Sequence, residues 1–281
     1  MNTMAETEPT GGPYPSEPYL GDTLESIERL EGELSPEVLE LNQRTFDFLG
    51  IERDVVKEYV VCNIAVPTPE QTAEALRQGY TIPVIVDGSI RRKRYIRRAQ
   101  KAFAEEYGSS GIYWDYWQTA ADISRTQVAQ HSNRPDQLYL IYLKPDQECD
   151  DAHPDTIDKN FRQCQEVLAQ EREQNPSLDL RGLTLQEYIM RQAVEFQRRK
   201  ANIDPGKRFD PIDSSHRTWL LEEAISVPDF RRPTRCLFAY WDCYKRKIEV
   251  HSAGTGKHIY NLGARFAVLP ETLAQAGVSK S

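Results

Sequence analysis

The stretch from Glu58 to Pro145 constrains the fold more than any other, because its local signals set an order of elements. EYVVCNIAV (58–66) is a near-continuous apolar run of strand length. Thr68-Pro69-Glu70-Gln71 is a capping box with proline at the first helical position, and Gly79 supplies the stop. TIPVIVD (81–87) reads as the next strand, and Asp87-Gly88-Ser89 turns into a helix from about Ile90 to Tyr107. QLYLIYL (137–143) supplies a further strand. Strands alternating with helices predict βαβ units and a mainly parallel sheet. The aromatic run Ile112 to Trp117 is either an extra strand or a loop, and its WDYW core fills an interior or lines a groove.

Upstream, residues 1–35 hold eight acids against Arg29 alone, so they carry −7 of the chain's formal −8. Their proline, glycine and glutamate content buries too little apolar surface to offset ordering, which predicts a largely disordered tail. The remaining body is nearly neutral and permits a local basic patch. Ser35-Pro36 then opens a helix with Val38, Leu41, Phe46 and Leu49 inward. Downstream of Pro145 an acidic, proline-interrupted loop marks a boundary. Asp155 caps a long polar helix to about Gln174, and Thr184-Leu185-Gln186-Glu187 is a second capping box. Its helix runs to about Lys200, with Leu185, Ile189, Ala193 and Phe196 on one face.

The expected organisation is therefore α+β: an acidic tail (1–35), an α/β domain (36–150), a helical connector (151–212) and a small antiparallel β module (213–281). With 39% hydrophobic and 28% charged residues, and no apolar run near the ~18 residues of a membrane span, the chain reads as soluble and cytoplasmic. The N-terminus lacks the basic region and apolar core of a secretory signal, and five cysteines without a close pair fit a reducing compartment.

The sharpest chemical signal is IRRKRYIRRAQKAF (90–103). On a helical wheel Tyr95, Ile96, Ala99, Ala102 and Phe103 share one arc, while Arg91, Lys93, Arg94, Arg97, Arg98 and Lys101 occupy the other and Arg92 stands in the apolar arc. Cations in the first turns oppose the helix dipole, and the Asp87-Gly88-Ser89 turn leaves backbone N–H groups for an anion. The leading reading is a solvated face paired with Glu105, Glu106 or the acidic tail; the competing one, which the opposed dipole suggests, is a nucleic-acid or phosphate site.

Other chemistries find less. Gly254-Thr255-Gly256-Lys257 lacks the first glycine and the hydroxyl of a phosphate loop, because His251 and His258 stand there, and reads as a hairpin turn. Cys236, Cys243, His251 and His258, at spacings of seven, eight and seven, match no zinc pattern. Asp146, Glu148 and Asp150 lack the glycine of a calcium loop. No nucleophile motif and no cofactor motif is present, so no cofactor and no catalytic residue is assigned. His216, beside Asp213 and Arg217, is the histidine best placed for testing.

The C-terminal stretch reads RTWLLEE, CLFAYWDC, KIEVHSAGTGKH and IYNLGARFAVLP. Phe238 and Tyr240 share one strand face, Ala239 and Trp241 the other; Ile248 and Val250 alternate with Lys247, Glu249 and His251; and the strand Arg265 to Leu269 turns Phe266 and Val268 inward. This order resembles the closing part of C-type-lectin-like modules in bacterial proteins, over about residues 185–270. The calcium tripeptide and disulfides of animal lectins are missing, so the resemblance does not imply carbohydrate chemistry. It implies ligand contacts from Tyr240, Trp241, Tyr244, Lys257, Tyr260 and Asn261. The alternative is that Trp219, Tyr240 and Trp241 are core. The leading expectation is a non-enzymatic binding or adaptor protein whose C-terminal module recognises a protein partner. The alternatives are a nucleic-acid- or phosphate-binding protein using the basic helix, and a structural subunit of an assembly.

Overall fold

A computed structural model describes residues 34–107, 112–114, 134–144, 154–202, 217–225, 235–242 and 247–270. Arg92 and Lys93 belong to a helix, but their side chains fall outside the description, as do residues 1–33 of the acidic tail, the 146–150 run, His216, Cys243 and Tyr244.

Helix α1 (Pro36–Phe48) starts where the Ser35 hydroxyl accepts from the Val38 amide at 3.4 Å, with proline at its first turn. Phe46 and Leu49 are buried as expected and Val38 and Leu41 half-buried, but Leu39, Asn42 and Thr45 complete the inward face. Asn42 is fully buried. Its Oδ1 accepts from the Ile85 amide at 2.9 Å and its Nδ2 donates to the Val38 carbonyl at 2.9 Å, so α1 caps the open edge of the strand that contains Ile85.

EYVVCNIAV is not one strand. Val55–Val60 forms a short helix α2, because the Asp54 carboxylate caps it through the Lys57 amide at 2.9 Å. The run turns at Cys62, with φ +58°, and only Ile64–Ala65 pairs as strand β1. Val60 and Val61 are 73% and 51% exposed, so the burial that rewards β-branched residues in a strand is not realised here. Helix α3 (Pro69–Arg77) shows both bonds of the Thr68–Gln71 capping box and ends before Gly79 at φ +82°.

Strand β2 (Ile82–Asp87), helix α4 (Arg92–Tyr107), strand β3 (Ile112–Trp114) and strand β4 (Leu138–Leu143) follow. A 3₁₀ turn at Pro154–Thr156 precedes helix α5 (Phe161–Gln174), which Asn160 caps by a box with Gln163, five residues beyond the expected Asp155. Strand β5 (Asp179–Gly182), which no sequence signal announced, leads into helix α6 (Leu185–Asn202). Strands β6 (Arg217–Ile225), β7 (Arg235–Asp242), β8 (Lys247–Gly254), β9 (Leu262–Ala264) and β10 (Phe266–Leu269) complete the described elements.

The α+β class is borne out, with two mixed sheets. In the first, β4 is central: β2 runs antiparallel along one side, while β1 (parallel) and β10 (antiparallel) share the other, and β5 joins beyond β10. The expected mainly parallel sheet is thus mixed, because β2 and β4 run antiparallel over Ile82–Asp87 and Leu143–Leu138. The second sheet has the order β3-β8-β7-β6-β9, with antiparallel β6-β7-β8 flanked by parallel edge pairs. The GTGK stretch is a turn, closed by the Lys257 amide on the Gly254 carbonyl at 2.9 Å; it is not a hairpin, since β9 pairs with β6 instead of β8.

The sheets exchange strands twice: β3 joins the second sheet, and β10 crosses into the first at Arg265. That arginine is 3% exposed and donates from Nε to the Thr218 hydroxyl at 2.8 Å. Phe48, Phe103, Phe196 and Trp241 pack edge-on or tilted at centroid distances of 5.0–6.3 Å, tying α1, α4, α6 and β7 into one core. No described helix is long and apolar enough to cross a membrane.

Candidate anion-binding site

β2 delivers Asp87 to its carboxyl end with the side chain fully buried. The chain must turn there against β4's approach: Gly88 donates to the Gln137 carbonyl at 2.9 Å, and a Cβ on it would lie 2.0 Å from the Pro135 carbonyl oxygen. Only glycine fits that contact. Ser89 folds back, its amide and hydroxyl donating to Asp87 Oδ1 at 3.0 and 2.5 Å.

α4 then takes the orientation its apolar arc dictates. Tyr95, Ile96, Ala99, Ala102 and Phe103 are all buried, as the wheel predicted, and each large one stabilises the docking by roughly 1.5–3 kcal/mol. With that face fixed, Arg91, Arg94 and Arg98 fall on one stripe at intervals of three and four residues.

The opposite wall comes from the loop between α1 and α2. Gly50 turns it at φ +62°, Ile51 anchors it at 3% exposure, and Gln43 clamps it by donating to the Arg53 carbonyl at 3.0 Å and accepting from the Val55 amide at 2.7 Å. Arg53 reaches across, its Nε donating to Asp87 Oδ2 at 3.1 Å and its Nη2 to the Ser89 hydroxyl at 3.1 Å. The result is a cavity of about 400 Å³, with Arg53, Asp87, Ser89, Arg91, Arg94 and Arg98 among its lining residues and Ile51 and Ile90 as apolar wall.

Asp87 is neutralised by Arg53. Arg91, Arg94 and Arg98 have no ion pair and no side-chain hydrogen bond among the described residues. Behind the floor, burial and then the Asp87 charge push the Tyr95 phenol well above its ordinary range, and its hydroxyl has no partner among the described residues.

The structure thus gathers part of the basic face. Arg97 is exposed and off the cavity lining, and Lys101 is exposed with its Nζ 3.8 Å from Glu105. Arg53 and Asp87, 34 residues apart, were missed as partners because nothing local links them.

Of the C-terminal residues, Asn261 and Tyr240 are linked through Arg217, whose amide donates to the Asn261 carbonyl at 2.7 Å and whose guanidinium lies over the Tyr240 ring. Trp241 is 2% exposed and packs on Phe103, on the sheet face opposite Tyr240. Tyr240 is half-buried, with its hydroxyl donating to Glu249 Oε2 at 2.5 Å, Arg217 4.9 Å over its ring, and His251 Nε2 2.9 Å from the same Glu249 oxygen. Burial and the Glu249 bond raise the Tyr240 phenol. Glu249, read from sequence as an outward alternating position, is only 2% exposed, because Tyr240 and His251 converge on it. Lys257 and Tyr260 are exposed, and Asn261 holds φ +56° while its amide donates to Asp158 Oδ1 at 2.7 Å. Among the described residues no three His, Cys, Asp or Glu side chains are arranged to hold a metal.

Comparison with protein-family models, with curated proteins and with solved structures finds no match for this chain.

Proposed function

We propose that the protein binds a phosphate-bearing anion in the cavity between α4, the β2–α4 turn and the α1–α2 loop. The observation that carries this is the convergence of Arg91, Arg94 and Arg98 on one cavity without an acidic partner among the described residues. Like charges at helical neighbour spacing cost about 0.2–0.5 kcal/mol per pair, and cations near a helix N-terminus cost about 0.3–1 kcal/mol each. An anion that accepts from several guanidiniums removes both penalties and forms charge-assisted hydrogen bonds.

The test is thermal unfolding and titration of the full chain with phosphate-bearing probes across a salt series, against Arg94→Ala and Arg98→Ala. Stabilisation that fades with salt and disappears in both variants supports the reading. No stabilisation by any phosphate-bearing probe at low salt overturns it.

A second reading, recognition of a protein partner through the C-terminal strands, draws on Tyr260, which is 79% exposed on the loop before β9. The C-type-lectin-like resemblance belongs to this reading. A defined partner that binds wild type and Tyr260→Ala equally well removes it.

A further inference from the structure

Resting on the anion-binding reading above, we infer that the occupant of the arginine cavity is a small molecule carrying two or more linked phosphate groups, and not a stretch of nucleic-acid backbone. Three observations point the same way.

The first is shape. At about 400 Å³ the cavity sits in the range of small-molecule pockets, about 300–1,000 Å³. Asp87, fully buried and held by Ser89 and Arg53, contributes to its lining. A bound strand needs a groove that continues past the site in both directions.

The second is spacing. Arg91 immediately precedes α4 and Arg94 and Arg98 lie in its first two turns, so at about 1.5 Å per residue their backbone positions span about 10 Å along the axis. A single phosphate is only about half that long and spans part of the row at a time, while each guanidinium offers a bidentate pair to phosphate oxygens. Two or three linked phosphates meet all of them.

The third is charge and chemistry of the lining. Among the described lining residues, Arg53, Arg91, Arg94 and Arg98 stand against Glu52 and Asp87, a formal balance of +2, which matches a multiply charged anion. None of the described lining residues is aromatic, so the cavity offers no platform for stacking successive bases, the usual source of single-strand affinity. The polar recognition falls on the phosphates, with Ile51 and Ile90 as the apolar wall for the remainder of the ligand.

The test compares inorganic phosphate, pyrophosphate, tripolyphosphate and a short single-stranded oligonucleotide at matched ionic strength, by calorimetric titration of the full chain. The variants are Arg94→Ala and Arg98→Ala, with Arg97→Ala as control, since Arg97 is exposed and off the cavity. Far-ultraviolet circular dichroism checks that each is folded. The expected result is that pyrophosphate or tripolyphosphate binds at least about tenfold more tightly than phosphate, that Arg94→Ala and Arg98→Ala each weaken this by about tenfold, and that Arg97→Ala stays within about twofold. If the oligonucleotide binds and tripolyphosphate does not displace it, the small-molecule inference is overturned while the anion-binding reading stands. Equal affinity for phosphate and tripolyphosphate also overturns the inference alone. If no probe binds, both fall.

Discussion

Replacing Glu187 tests how the fold around the site is held. Its carboxylate is fully buried and accepts from Arg134 Nε at 2.6 Å, Arg134 Nη2 at 3.0 Å, the Tyr139 hydroxyl at 3.0 Å and the Thr184 amide at 2.7 Å. The Arg134 side chain is 8% exposed, so Glu187→Ala leaves a buried guanidinium without its carboxylate. Breaking a buried pair from one side costs about 3–5 kcal/mol, a large share of the ~5–15 kcal/mol that stabilises a typical domain. The double variant Arg134→Met/Glu187→Leu removes both charges and is expected to lose less than Glu187→Ala alone. Burial pushes the Glu187 carboxyl up, but the Arg134 charge and its hydrogen bonds, with those from Thr184 and Tyr139, outweigh it and hold the group below the usual carboxylate range. A depressed folded value means the contribution is complete above the unfolded carboxylate pKa of about 4.3 and disappears as pH falls through the folded value. The gap between wild type and Glu187→Gln should therefore begin to narrow as the pH falls below about 4.3 and close as it passes through the lower folded value. Urea unfolding across pH measures all of this. A Glu187→Ala cost under about 1 kcal/mol, or a double variant worse than the single, would refute the reasoning.

Other positions give sharper local tests. Asn42→Leu leaves the Ile85 amide unpaired at the β2 edge and is expected to cost about 1–3 kcal/mol by urea unfolding. Gly88→Ala forces a Cβ against the Pro135 carbonyl oxygen, so it should both destabilise the chain and weaken anion binding; unchanged midpoint and affinity would contradict the close approach. Thr68→Ala removes the α3 cap and should cost about 1 kcal/mol without altering anion binding. Arg94→Ala should leave the unfolding midpoint unchanged or slightly raised in the absence of anions, because that side chain has no partner to lose among the described residues.

What was legible in the sequence is what depends on residues close in the chain. The boxes at Thr68–Gln71 and Thr184–Glu187, and the buried arc of α4, formed as read, since each is decided within a few residues. The Asn160–Gln163 box carried the same signal and was available too. The EYVVCNIAV run misled because local apolarity does not say whether tertiary partners will bury it, and the Asp54 cap selected a helix. The basic face of α4 was visible, but not that Arg53 and Asp87 would close a cavity around three of its cations. Nor does any local pattern show that GARFAVLP splits at Arg265 between two sheets, or that Arg134 would partner Glu187 across 53 residues. Those are consequences of topology.

The most direct measurement of the central claim is an anomalous diffraction map from crystals soaked in tungstate, a heavy tetrahedral oxyanion that stands in for phosphate. The account predicts the strongest peak inside the cavity, within hydrogen-bonding reach of the Arg94 and Arg98 guanidiniums and on the side away from Asp87. Peaks elsewhere on the molecule with none in this cavity would contradict it.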